Sequence, residues 1–168
     1  MNQDDKVREA ARQQIRQYFR QLMFLFVGFL ASIVLFTISV IIVSAQADPK
    51  SHDLDTILLI CAPLSSMALI LVANRLFLAR LRPARTAEKL YQKMEAYRGA
   101  MVLRLMLMDG AAFVQLIAFF LTENRVFLPI ALVVATLFMF YRPGVERFIK
   151  DLELTGVEAQ VMRDHSVS

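Results

Sequence analysis

Leu22–Ala45, LMFLFVGFLASIVLFTISVIIVSA, runs for 24 residues without a charged side chain. As an α-helix it would extend about 36 Å, enough to cross roughly 30 Å of hydrocarbon. Three more apolar runs follow at Ile57–Ala79, Met101–Leu121 and Val126–Tyr141. A soluble core built from 168 residues has no need of four such runs. A hydrophobic content of 57% also lies well above that of an ordinary globular chain. The reading is an all-α, four-span transmembrane helical bundle forming a single membrane domain over residues 1–168, with spans at about 22–45, 57–79, 101–121 and 126–141. These spans leave no room for a separate soluble catalytic domain. The first run is longer than a signal-peptide core, and Ser44-Ala45-Gln46-Ala47 is a weak cleavage match, so a retained anchor is expected.

Charge sets the orientation. Lys6, Arg8, Arg12, Arg16 and Arg20 precede the first span. Arg80, Arg82, Arg85, Lys89, Lys93 and Arg98 fall between the second and third, and Arg142, Arg147, Lys150 and Arg163 follow the fourth. The opposite loops carry only Lys50 and Arg125. The bias places both termini and the central loop in the cytoplasm. The net charge of +4 therefore points to anionic lipid at that face and away from nucleic acid.

The polar segments have helical periodicity. Val7, Ala11, Ile15, Tyr18 and Leu22 recur at steps of three and four, as do Leu90, Met94, Tyr97 and Met101. Val145, Phe148, Ile149 and Leu152 form a third stripe. Amphipathic cytoplasmic helices are expected at about 4–21, 83–98 and 143–163. The first either lies on the membrane surface or continues into its span. Pro83 and Pro143 suit helix starts, and Gly99 loosens the junction with span three. Thr155-Gly156-Val157-Glu158 reads as a capping box before a short last helix, with fraying from Asp164. Pro63 and Pro129 near the outer ends, with Arg82-Pro83 and Arg142-Pro143 at the inner ends, are either a faint internal repeat or ordinary membrane-helix punctuation.

Few residues carry chemistry. Asp109 lies about 12 Å into span three, where an ionised carboxylate must be paired, protonated or facing water. Gly110, Ala111 and Ala112 after it allow close helix approach. Arg75 and Asn74 in span two are its expected partners, with Ser32 in span one as a hydrogen-bond donor. Arg104 is nearer the interface and is expected to snorkel outward. Asp109 reads either as a structural pair or as a proton or cation site. Gln115 shares a stripe with Arg104 and Ala111 and reads as interhelical glue. Gly28 and Ser32, like Ala62 and Ser66, make small-residue faces for packing.

Other signals exclude function classes. Asp48, His52, Asp53 and Asp55 lack metal-ligand spacing. The one cysteine, Cys61, sits in an apolar run and allows no intramolecular disulfide. No histidine lies in a span to ligate haem, and no phosphate-binding loop or nucleophile elbow occurs. Neither a cofactor nor an enzymatic activity is expected.

The segment Arg142-Pro143-Gly144-Val145-Glu146-Arg147-Phe148-Ile149-Lys150-Asp151-Leu152-Glu153-Leu154-Thr155 resembles the end of small multi-pass bacterial membrane proteins of unassigned role. That resemblance covers about a tenth of the chain. It implies a bacterial inner (cytoplasmic) membrane location and brings no activity with it.

Two functions compete at this level, ahead of a membrane-embedded enzyme whose interfacial Arg and Lys would hold a phosphorylated lipid but which no nucleophile or metal set accompanies. One is a non-enzymatic accessory, assembly or scaffold subunit that docks a membrane partner or a second copy through its basic helices. Arg80, Arg82, Arg85, Lys89, Lys93, Arg142, Arg147 and Lys150 would form that lipid or partner surface. The other is a homo-oligomeric transporter or channel for a proton, ion or small solute, built around Asp109 with Arg75 and Asn74.

Overall fold

The computed structural model describes residues 3–45, 55–87, 90–154 and 156–166. Among these the chain is helical, with helices α1 (Gln3–Ser44), α2 (Asp55–Arg85), α3 (Leu90–Thr122), α4 (Phe127–Phe140), α5 (Val145–Asp151) and α6 (Val157–Ser166). Three of them, α1, α2 and α3, contain stretches long and apolar enough to cross a membrane. With 14 residues, α4 covers only about 21 Å. It meets α5 at a bend of 84°, and the count rises to four when that bent pair is taken as one span.

The polar segments join the apolar ones more closely than their sequence suggests. No proline interrupts α1, so its amphipathic start and its apolar run form one rod of 42 residues, about 63 Å long. The expected helix at 83–98 does not exist as a separate element. Pro83 lies inside α2, two residues before its end, where the loss of one backbone hydrogen bond is tolerated. The chain turns just beyond, with the Ala87 amide on the Ala84 carbonyl and the Thr86 hydroxyl on that of Pro83. From Leu90 the stripe runs straight into span three, and Gly99 is helix interior rather than a loosened joint. The 143–163 segment forms two helices, with the expected short last helix starting at Val157, and Glu153 and Gly156 adopt positive φ between α5 and α6. The helix α6 extends to Ser166. Thr155, the first position of the expected capping box, lies outside the described residues. The two Arg-Pro steps also differ, one inside α2 and one at the α4–α5 bend, so they do not mark equivalent positions.

A tight hairpin joins α3 to α4. The Asn124 amide binds the Thr122 hydroxyl, and the Asn124 side chain accepts from the Val126 amide. These local bonds replace the helix ladder where Glu123 turns left-handed.

The fold is organised around α3, which packs against α1, α2 and α4, whereas α1 and α2 share no extensive contact. Half of the most apolar stretch of α3 is buried, against 17% in α1 and α2. Those two helices turn large apolar residues such as Phe24, Leu35, Ile60 and Leu71 outward. Such a surface suits lipid and would be untenable in water. Phe127 belongs to a small cluster with Val40, Ala62 and Phe119, and Phe138 stacks on Phe26 at 5.1 Å. The helix α4 therefore returns along the bundle towards its Lys/Arg-rich end.

That basic end is capped. Tyr97, Phe148, Leu152 and Met162 are fully buried there, and Tyr97 meets Phe148 edge-on at 4.9 Å. The described apolar residues of the three polar segments, from Ile15 and Leu22 to Met101, Phe148 and Leu152, thus pack in one cluster.

Candidate functional site

Two polar stripes run along α3, and the structure treats them differently. A step of eleven residues is close to three helical turns, so residues so spaced share a face. Lys93, Arg104 and Gln115 form one stripe; Arg98 and Asp109 form the other.

The first stripe is buried and mostly bonded, with Gln115 Oε1 left without a partner among the described residues. Arg104, only 7% exposed, donates from Nη2 to Asn74 Oδ1 at 2.5 Å. Its guanidinium lies 3.7 Å from the Tyr141 ring centroid and 4.4 Å from that of Phe77. Arg104 therefore does not snorkel outward as expected; two rings and an amide hold it inside. Its Nε has no hydrogen-bond partner among the described residues, and the rings lie against the group instead. Gln115 donates to Ser66 Oγ at 2.7 Å, and Ser66 donates to the Ala111 carbonyl at 2.8 Å. Lys93 reaches Glu158 of α6 at 2.8 Å.

The second stripe has no such closure. Asp109 is 9% exposed, and its buried Oδ1 has no hydrogen-bond partner among the described residues. It faces an open groove of about 620 Å³ between α1 and α3, lined also by Phe24, Gly28, Phe29 and Ser32. Gln21 and Arg98 line both this groove and a second cavity of about 550 Å³ nearer the basic end. Tyr18, Tyr91 and Glu95 border that second cavity, so polar side chains continue from the basic end to Asp109.

The expected partners of Asp109 are accordingly redistributed. Asn74 is engaged by Arg104. Arg75, its neighbour, points about 100° away around α2, lies exposed and makes no ion pair among the described residues. Ser32 shares the groove with Asp109, but no hydrogen bond joins them. Arg104 and Asp109, five residues apart, sit about 140° apart around α3 and so face different neighbours.

The basic surface is also smaller than expected. Arg85 donates to the Asp151 carbonyl at 3.1 Å and pairs with Glu153 at 2.5 Å. Arg147 pairs with Asp151 at 3.7 Å and donates to the Phe140 carbonyl. With Lys93 on Glu158, three of the expected surface cations are spent inside the cap. Burial pushes the Asp151 carboxyl above its ordinary range, against the pull of the Arg147 and Arg104 guanidiniums. Arg80, Arg82, Arg142 and Lys150 are exposed. Lys89, like Asp48, His52 and Asp53, lies outside the described residues, as does the Asp55 side chain.

Sequence reading did not identify Tyr141 and Phe77 as the walls around Arg104, nor Arg98 and Gln21 as the rim of the groove. The eleven-residue spacing between Arg98 and Asp109 was the available signal. Compared with protein-family models, curated proteins and solved structures, the chain matches none.

Proposed function

We propose that this chain is a four-span protein of the bacterial inner membrane, with both termini cytoplasmic, that acts as a non-enzymatic accessory, assembly or scaffold subunit. One observation carries the reading. The described apolar residues of the segments at the basic end are buried in one cluster, yet Arg80, Arg82, Arg142 and Lys150 are exposed. A packed cap with exposed basic residues meets its surroundings through charge rather than through a free apolar groove. Anionic lipid headgroups would seat these residues, and an acidic face of another membrane protein would complete the assembly.

Purification from native membranes in a mild detergent, followed by mass spectrometry, tests this. A stoichiometric partner should copurify at low salt and be lost when Arg80, Arg82, Arg142 and Lys150 are changed together to Glu. A chain that runs alone, or a partner indifferent to those four changes, counts against it.

A second reading is supported by a different observation, the unpartnered Asp109 in its open groove. It is a homo-oligomeric transporter or channel in which Asp109 takes up a proton or cation. Asn74 leaves this version, being committed to Arg104. Reconstituted flux abolished by Asp109→Asn would favour it; unaltered flux in that variant would remove it.

A further inference from the structure

Asp109 Oδ1 is a buried carboxylate oxygen without a donor among the described residues. So are Glu123 Oε1 in the α3–α4 hairpin and the amide Oε1 of Gln115; of the three, Asp109 lines a groove. A carboxylate amid apolar side chains is costly unless it is paired. Elsewhere along α3 the fold meets this demand, as Arg104 and Lys93 illustrate. At Asp109 it supplies space instead.

The shape and lining of that space narrow its occupant. The groove's volume, about 620 Å³, falls within the range of small-molecule sites. Phe24 and Phe29 contribute aromatic rings to its wall. Between them Gly28 keeps the wall low, since a Cβ built there meets no atom within 4 Å. Ser32 adds a single hydroxyl. Aromatic faces attract cations, most strongly where water is excluded. The nearest cation on the same stripe, Arg98, lies about 16 Å away along the helix. It marks the polar rim and leaves the carboxylate unneutralised.

We propose that the α1–α3 groove binds a lipophilic organic cation, with Asp109 as its counter-ion and Phe24 and Phe29 as its aromatic walls. A ligand of this class partitions into the bilayer and reaches the groove sideways, past the rim. An anionic lipid fits the site poorly. With its phosphate on Arg98, its acyl chain would lie against the carboxylate and leave it unpaired. The site is separate from the exposed basic residues of the cap and stands independently of any partner bound there.

The probe is tetraphenylphosphonium, titrated into the purified protein in nanodiscs of zwitterionic lipid. Saturable binding is expected for the wild type. Asp109→Asn, which keeps the side chain's size, should weaken it at least tenfold. Gly28→Leu keeps the carboxylate but fills the groove, and should weaken it comparably. Asp109→Glu should retain affinity within a few-fold, and Arg98→Gln should leave it unchanged or tighter. Circular dichroism and size-exclusion elution establish that each variant is folded. Absence of saturable binding by the wild type overturns the proposal, as does binding that survives both Asp109→Asn and Gly28→Leu. Two other results overturn it by naming another occupant. One is binding of phosphatidylglycerol that Arg98→Gln abolishes, and the other is a wild-type dimer that Gly28→Leu splits into monomers.

Discussion

Arg104 and Asp109 sit five residues apart on one helix, carry opposite charges and meet opposite fates. Arg104 is enclosed by Asn74, Phe77 and Tyr141, so α2 and the end of α4 close around it. Asp109 faces α1 across a groove, where Gly28 and Ser32 leave room and no donor among the described residues arrives. Composition does not account for the difference, since both residues are ionisable and both are buried. What differs is the neighbouring helix. Towards α3, α2 presents Asn74 and Ser66, whereas α1 presents Gly28, Phe29 and Ser32. A buried charge is thus bonded where the facing helix answers it and unpaired among the described residues where it does not.

Substitutions along the two stripes test this contrast. Arg104→Ala should have the largest effect, about 3 kcal/mol of lost stability, because it removes a charged hydrogen bond together with the stacking on two rings. Arg104→Lys should recover only part of it, since an ammonium lacks the planar fork. Thermal unfolding in a mild detergent measures both. Lys93→Ala should cost about 1 kcal/mol, as expected of a half-buried ion pair, and loosen α6 in hydrogen exchange. A double-mutant cycle of Ser66→Ala with Gln115→Leu should give a coupling of about 0.6 kcal/mol, typical of hydrogen bonds between membrane helices. Asp109→Asn should have the smallest effect, within about 0.5 kcal/mol of wild type or slightly stabilising, because it breaks no bond and removes a charge from apolar surroundings. A loss there as large as that of Arg104→Ala would erase the contrast.

The sequence conveyed the helices better than the seams between them. Runs such as Leu22–Ala45 and Met101–Leu121 exceed any ambiguity of period, and their helices formed where expected. The junctions were harder to read. The signals at Gly99 and Pro83 are statistical, and a long helix absorbs either residue when its neighbours hold it straight or when it is close to ending. The positive φ of Glu153, which helps divide α5 from α6, carries no glycine signal at all.

Asp109 was legible as costly, because a carboxylate in an apolar run stands out in any reading. Its surroundings were not, because helical spacing tells which residues share a face and not which helix covers it. The expected partner, Arg75, failed for that reason. Asn74 and Arg75 are adjacent, only one of them faces α3, and it is Asn74 that does so. Similarly, Arg85, Lys93 and Arg147 read as surface cations until Glu153, Glu158 and Asp151 fold back onto them.

Among the described residues Asp109 has no partner, whereas Arg104 has one. Paired double-mutant cycles, measured by unfolding in one bilayer mimetic, test this contrast most directly. Arg104→Gln with Asn74→Ala should give a coupling of about 1.5 kcal/mol, near the upper end seen between membrane helices. Arg75→Gln with Asp109→Asn should give less than about 0.5 kcal/mol, the value expected of independent sites. A coupling above about 1 kcal/mol in the second cycle would mean that Asp109 is paired after all, and would contradict the account.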